Sequence, residues 1–229
     1  QKRFLGDIAH ELCSPIARMQ MSLGVLQSRL RDDQKDALED LQEEADHMAS
    51  MVNELLSFSR ASLGEKPLRL KSVKVSEIID LALQRESGLH QDAEVHIELT
   101  GEPEVLADPR LLERSLANVI RNAFLYAKDA GPITIAVDFP DVEHTRILVM
   151  DEGDGVPEDA LEHLFDPFYR PETARTRETG GTGLGLSIVK MGIESCQGTV
   201  SARNRKPRGF VVELVLKNGE FLSMDGNNA

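Results

Sequence analysis

The chain has 229 residues with 26 basic and 39 acidic side chains, a formal net charge of −13, 41% apolar and 28% charged residues. This length and composition suit one large or two modest domains with a real core and exclude global disorder. The acidic balance, with no basic stripe to displace counterions from phosphates, excludes nucleic acid as a partner.

No run of about 18 apolar residues occurs, so the stretch is expected to span no membrane and make no membrane contact. The opening residues do not read as a signal peptide, and none is expected in this stretch. Its two cysteines, Cys13 and Cys196, fall in separate predicted elements, which suits a reducing compartment better than a disulfide framework.

Leu5, Ile8, Leu12, Ile16, Met19, Leu23, Leu26 and Leu30 are spaced by threes and fours, which predicts a helix with an apolar seam. Arg31-Asp32-Asp33-Gln34 interrupts it, and Asp32 or Asp33 can cap the next helix. The second helix carries Leu38, Leu41, Ala45, Met48, Val52 and Leu55 at the same spacing. A short connection makes the two antiparallel. A lone hairpin buries too little apolar surface to stand in water, so pairing with a second copy into a four-helix bundle, a homodimer, is expected. The alternative packs both seams against the rest of the chain. Pro15 removes a backbone bond inside the first helix and predicts a bend just past His10.

The hairpin occupies residues 1–62, and the linker-like composition of Leu63-Gly64-Glu65-Lys66-Pro67 separates it from a mixed domain over 68–217. There, strands are expected at Leu70–Val75, Glu94–Leu99, Glu104–Ala107, Ile133–Phe139, Thr145–Met150, Thr199–Ala202 and Phe210–Leu216. One helix is expected from a Ser76 cap to about Leu89, and another from an Asp108 cap with Pro109 in its first turn to about Lys128. Helices alternating with a mainly antiparallel sheet describe an α/β two-layer sandwich, making the whole chain α+β. Residues 218–229 read as a frayed tail.

Four features in the second domain carry chemistry. Gly180-Gly181-Thr182-Gly183-Leu184-Gly185-Leu186-Ser187-Ile188-Val189-Lys190 passes from glycines into an apolar helical pattern, the makings of a phosphate cradle at a helix start. It is neither a Walker loop nor the dinucleotide fingerprint. Asn118 and Asn122 share one helical face. Asp151-Glu152-Gly153-Asp154-Gly155 follows an apolar strand, setting a carboxylate at a strand end beside a permissive turn, and Leu164-Phe165-Asp166-Pro167-Phe168-Tyr169-Arg170 is an aromatic patch just before the glycines.

In this order the four features resemble the ATP-binding domain shared by sensor histidine kinases and the gyrase, Hsp90 and MutL ATPases. Phe4-Leu5-Gly6-Asp7-Ile8-Ala9-His10-Glu11-Leu12-Cys13-Ser14-Pro15-Ile16 then resembles the phosphoacceptor box of class I sensor histidine kinases, usually His-Glu-Leu-Arg-Thr-Pro-Leu. The Phe-Tyr-Arg and Gly-Gly-Thr-Gly-Leu-Gly-Leu wording is similar to that of CpxA-like envelope-stress sensors. The joint resemblance implies a Bergerat-type sandwich that binds ATP and Mg²⁺, autophosphorylation of a histidine, and transfer to an aspartate of a response-regulator receiver domain. It also implies that the piece, which begins at Gln1, belongs to a longer bacterial inner-membrane sensor with this part in the cytoplasm.

Residue by residue, the resemblance makes His10 the nucleophile, and its place about 200° around the helix from Ile8 and Leu12 turns it from the seam. Glu11 corresponds to the residue that accepts or orients the ring proton. Ser14 stands where Thr or Asn positions water for phosphatase activity, and Cys13 replaces the usual arginine, as a packing residue or a redox switch. Asn122 corresponds to the Mg²⁺ ligand. Asn118 occupies the place of the gyrase-type catalytic glutamate, which favours transfer over hydrolysis. Leu125 replaces a phosphate-contacting lysine, for which Arg121 or Lys128 can compensate.

Asp151 corresponds to the acceptor for the adenine amino group, with Gly153 and Gly155 allowing the close turn, and Tyr126 either flanks the base or sits in the core. Gly181, Thr182, Gly183, Leu184 and Gly185 form the phosphate loop, and a lid within Pro157–Thr179 brings Arg170, Arg175 and Arg177 as candidate phosphate contacts. Two rivals remain at this stage. One is an ATPase-driven clamp, and the other is a dimeric scaffold that holds nucleotide without transferring phosphate.

Overall fold

The structure is a computed structural model that describes residues 16–24, 26, 38, 41–42, 45, 48–49, 52, 67–86, 94–127, 130–171 and 182–219. His10, Glu11, Cys13, Ser14, Lys128, Arg175, Arg177 and Gly181, and with them the expected bend at Pro15, lie outside the described residues.

The helical positions that are described match the expected hairpin. Ile16 packs with Val52, Met48 and Ala49, and one groove is lined by Met19, Ser22 and Leu23 facing Leu41, Ala45 and Met48. Rising numbers on one segment meet falling numbers on the other, so the two run antiparallel. Ile16, Leu38, Ala45 and Val52 are buried within the single chain, whereas Met19 and Leu41 are 42% and 59% exposed.

The second domain runs β1 (Lys71–Lys74), α1 (Val75–Glu86), β2 (Val95–Leu99), β3 (Glu104–Ala107), α2 (Pro109–Tyr126), β4 (Ile133–Asp138), β5 (His144–Met150), a 3-10 helix (Glu158–His163), α3 (Gly185–Ser195), β6 (Thr199–Asn204) and β7 (Phe210–Lys217). Five strands form one sheet in the order β2-β4-β5-β7-β6, and β1 pairs with β3 apart from it. All pairings are antiparallel except β2 with β4, which run parallel in register Val95 to Ile133.

Alternation along β4 and β5 buries every second side chain on one face of the sheet. The three helices cover that face, and Ile79, Leu112, Leu116, Ile120, Ile135, Ile147, Ile193, Leu214 and Leu216 close the core between them. Each such side chain contributes on the order of 1.5–3 kcal/mol relative to exposure. This is the two-layer sandwich that the pattern predicts.

Most boundaries shift by a residue or two, and two departures have a visible cause. α1 begins at Val75, whose N–H donates to the carbonyl of Pro103 at 3.0 Å, so Ser76 lies inside the helix and is not its cap. Asn218, read as the start of a frayed tail, bridges Val105 and accepts the Thr145 hydroxyl at 2.7 Å while its amide donates to the Val142 carbonyl at 3.0 Å. A polar side chain that satisfies a buried threonine is worth ordering, and composition alone cannot show it.

Candidate nucleotide site

Helix α2 is the spine of the site. Asp108 caps it by accepting the Arg110 N–H at 3.1 Å, Pro109 takes the first turn, and the carboxylate also accepts the Arg69 N–H at 3.1 Å and the Arg110 guanidinium at 2.9 Å. Burial works to raise the Asp108 pKa, but Arg110 and the two backbone donors outweigh it and hold the carboxyl below its usual range.

One turn apart on the same face stand Asn118 and Asn122. Asn118 is buried, and its amide oxygen accepts Arg121 Nη2 at 2.8 Å. The beginning of α3 lies against this cluster: a Cβ built on Gly185 would fall 3.8 Å from both amide atoms of Asn122 and 3.9 Å from Arg121 Nη2. No side chain caps α3 at Leu184, while the Thr182 hydroxyl accepts the Leu184 N–H at 3.1 Å. A helix start, an amide and a guanidinium therefore converge on one place, with electrostatics that favour an anion. Arg121 brings a guanidinium there, while Lys128, the other cation weighed, lies outside the described residues.

The glycine loop is tied to the aromatic patch. Gly183 has φ +73°, and a Cβ there would lie 2.8 Å from the Phe168 carbonyl carbon, so only glycine fits. The Phe168 N–H donates to the Gly183 carbonyl at 3.0 Å, and Phe168 itself holds φ 67°, a strained setting for a bulky residue. Tyr169 stacks at a tilt on His163, whose Nδ1 lies 2.9 Å from Asp166 Oδ2; that carboxylate raises the His163 pKa. Arg170 follows in the same turn, half-buried.

At the other end of α2, Gly153 sits where a Cβ would be 3.1 Å from the Tyr126 carbonyl, which brings the turn after β5 alongside the last residues of the helix. The Tyr126 side chain is half-buried. Asp151 is 6% exposed, and its Oδ1 accepts the Gly153 N–H at 2.9 Å and the Phe210 N–H at 3.2 Å. Burial raises the Asp151 pKa, partly offset by those two N–H groups and by Arg205. No hydrogen bond from a described residue reaches Oδ2, which leaves an acceptor for a ligand donor. From Asn118 to Tyr126 the helix advances about 12 Å, so the amide and guanidinium cluster and the Asp151 turn both lie along α2.

The structure thus gathers Asn118, Asn122 and Gly185 at one end, Asp151, Gly153 and Tyr126 at the other, and Gly183 with Phe168–Arg170 beside the first. Sequence reasoning found the two strands of the β6–β7 hairpin but missed that its Asn204, Arg205 and Phe210 contact the Asp151–Val156 turn. Asn-Arg-Lys-Pro-Arg-Gly signals a turn, but nothing local says what that turn will touch.

As to a metal, the single amide oxygen of Asn122 beside the helix start fits a hard cation that takes its other ligands from phosphate and water. Among the described residues no group of three or more His, Cys, Asp or Glu forms a metal cluster.

Two family models match parts of the chain. The His Kinase A (phospho-acceptor) domain model matches residues 1–64, and the histidine kinase-, DNA gyrase B- and HSP90-like ATPase model matches residues 107–220. The chain is similar to the sensor histidine kinase CpxA of Escherichia coli (strain K12), 36% identical over 208 residues, which cover 89% of this chain and 44% of that protein. It is 29% identical to the sensor histidine kinase WalK of Bacillus subtilis (strain 168), covering 100% of this chain and 38% of that one. Among solved structures, full-length ShkA in complex with AMPPNP superposes with a TM-score of 0.77 at 25% identity, covering 95% of this chain and 46% of ShkA. The chain therefore spans less than half the length of these relatives.

Proposed function

The chain belongs to the sensor histidine kinases, and on that premise we propose that it uses ATP to phosphorylate His10 and passes the phosphoryl group to an aspartate of a response-regulator receiver domain. The observation that carries the reading is the meeting of Asn118, Arg121 and Asn122 with the uncapped start of α3. Triphosphate would lie there, with Asn122 holding Mg²⁺, which when bound supplies charge neutralisation across the phosphates. Asp151 Oδ2 would accept the adenine amino group.

A neutral ring nitrogen of His10 attacks the γ-phosphorus in line. The N–P bond forms as the bond to the β,γ-bridging oxygen breaks, ADP leaves, and Glu11 takes the ring proton. Asn118 supports transfer over hydrolysis, because an amide oxygen already engaged by a guanidinium cannot serve as a base for water. Ser14 keeps a hydroxyl four residues past His10, where it can orient water for dephosphorylating the regulator.

We propose that the phosphotransfer hairpin covers residues 1–62, a linker 63–67 and the ATP-binding domain 68–217, with 218–229 as a tail whose first residue, Asn218, is held against the sheet. The open groove along Met19 and Leu41 supports pairing of two hairpins in a homodimer. The intact protein is proposed to be a membrane sensor with this portion in the cytoplasm; among the described residues no helix is long and apolar enough to cross a membrane.

Incubation with γ-labelled ATP tests the reading. Acid-labile, base-stable label that disappears in His10→Ala is expected. Release of free phosphate without protein label would instead mark an ATPase, and neither signal would mark a scaffold.

A further inference from the structure

The turn that carries Asp151 is held at both ends by one hairpin. At its start, the Asp151 N–H donates to the Phe210 carbonyl at 3.0 Å, the Phe210 N–H returns a bond to Asp151 Oδ1 at 3.2 Å, and Arg205 Nη1 reaches the Asp151 carbonyl at 3.4 Å. At its end, Asn204 grips both backbone groups of Val156: Oδ1 accepts the Val156 N–H at 2.9 Å and Nδ2 donates to the Val156 carbonyl at 2.8 Å. The same Nδ2 lies 3.2 Å from Glu158 Oε1. Gly155 fits beneath the amide because it lacks a side chain; at its φ of +71° a Cβ would sit 2.5 Å from Asn204 Oδ1.

We propose that Asn204 is a positioning residue for nucleotide selection, clamping Val156 so that Asp151 and Gly155 keep the spacing that admits adenine and rejects guanine. The inference rests on Asp151 being the adenine acceptor. Only an amide provides an acceptor and a donor in one plane at this reach. A carboxylate would turn an acceptor toward both the Val156 carbonyl and the Glu158 carboxylate. Asn204 ends a strand, is half-buried and lies outside the hydrophobic core, so its loss loosens the turn while the sandwich stands. A turn that must be ordered by the ligand binds it more weakly, and with less discrimination, than one already in place.

The test titrates the 229-residue protein with Mg-ATP and Mg-GTP and follows labelling kinetics in Asn204→Asp, Glu158→Gln, the double variant and Asp151→Asn. In Asn204→Asp the KM for ATP is expected to rise about tenfold and the ATP-over-GTP ratio to shrink. The kcat and the unfolding midpoint stay near those of the parent. Adding Glu158→Gln restores most of the affinity, because an amide at 158 donates to the introduced carboxylate.

Parent-like affinity in Asn204→Asp alongside a loss in Asp151→Asn would overturn the role of Asn204 and leave Asp151 standing. Parent-like affinity in Asp151→Asn would overturn the adenine reading and this role with it. A fall in affinity that tracks a lowered midpoint, with no recovery in the double variant, would make Asn204 merely structural. Should Asn204→Asp not fold, Asn204→Ser, which keeps a small hydrogen-bonding side chain, is read by the same criteria.

Discussion

The amide oxygen of Asn118 and the guanidinium of Arg121 are joined by a 2.8 Å hydrogen bond across one turn of α2, beside the start of α3. Converting the amide to a carboxylate in Asn118→Asp therefore makes an ion pair with Arg121, not a free base. Labelling is expected to fall about tenfold through lost phosphate attraction, with no gain in free phosphate. A malachite-green assay beside the labelling assay reads both, and a rise in phosphate release would refute the argument that Asn118 disfavours hydrolysis.

Asn122 has its amide within 3.8 Å of the Gly185 Cβ position, at the mouth of the helix, and the core closes without it. Asn122→Ala should lower Mg-dependent ATP binding on the order of 100-fold and abolish labelling. Sedimentation should still report the parent's oligomeric state. Persistent labelling would contradict the metal assignment.

The buried carboxyl of Asp151 titrates above the ordinary aspartate value because burial disfavours its charge. Protonation removes an acceptor, so ATP affinity should weaken as pH falls toward that raised pKa, earlier than for an exposed aspartate. Stability carries the opposite sign: burying the charge costs folding free energy above the folded pKa, and the cost is relieved as pH falls through it. Calorimetric titrations carried from neutral pH downward should show the fall in the parent and a flat, weaker response in Asp151→Asn. An identical pH profile in both proteins would exclude Asp151 as the acceptor.

Asp108 combines a helix cap with contacts to Arg69 and Arg110. Asp108→Ala should destabilise the second domain by about 2 kcal/mol, measured by urea denaturation. Its folded pKa is depressed, so its contribution is fully present above the unfolded value near 3.9 and is lost as pH falls through the folded value. A denaturation midpoint unchanged at neutral pH would show that the cap is replaceable.

Much of this molecule is written locally. Period-two alternation marks β4 and β5, and threes and fours mark the hairpin, because each element must bury one face. Asp108-Pro109 announces the start of α2 through chemistry confined to one turn. Asn118 with Asn122, and the passage from Gly183 into α3, are legible for the same reason: each pair lies within a single element or its cap, where spacing in sequence is spacing in space.

Other relationships join residues far apart in the chain, and no local pattern encodes them. That Arg121 meets Gly185, that Phe168 is stitched to Gly183, that Asn218 satisfies Thr145 and that β2 runs parallel to β4 follow from how the sheet and helices pack. Periodicity and turn chemistry determined the fold class and the elements, and motif order pointed to the family. Only the tertiary structure decided that Arg121 stands beside the start of α3 and that a hairpin some 50 residues downstream holds the Asp151 turn, because those contacts exist only once packing and strand pairing have closed the distance between them.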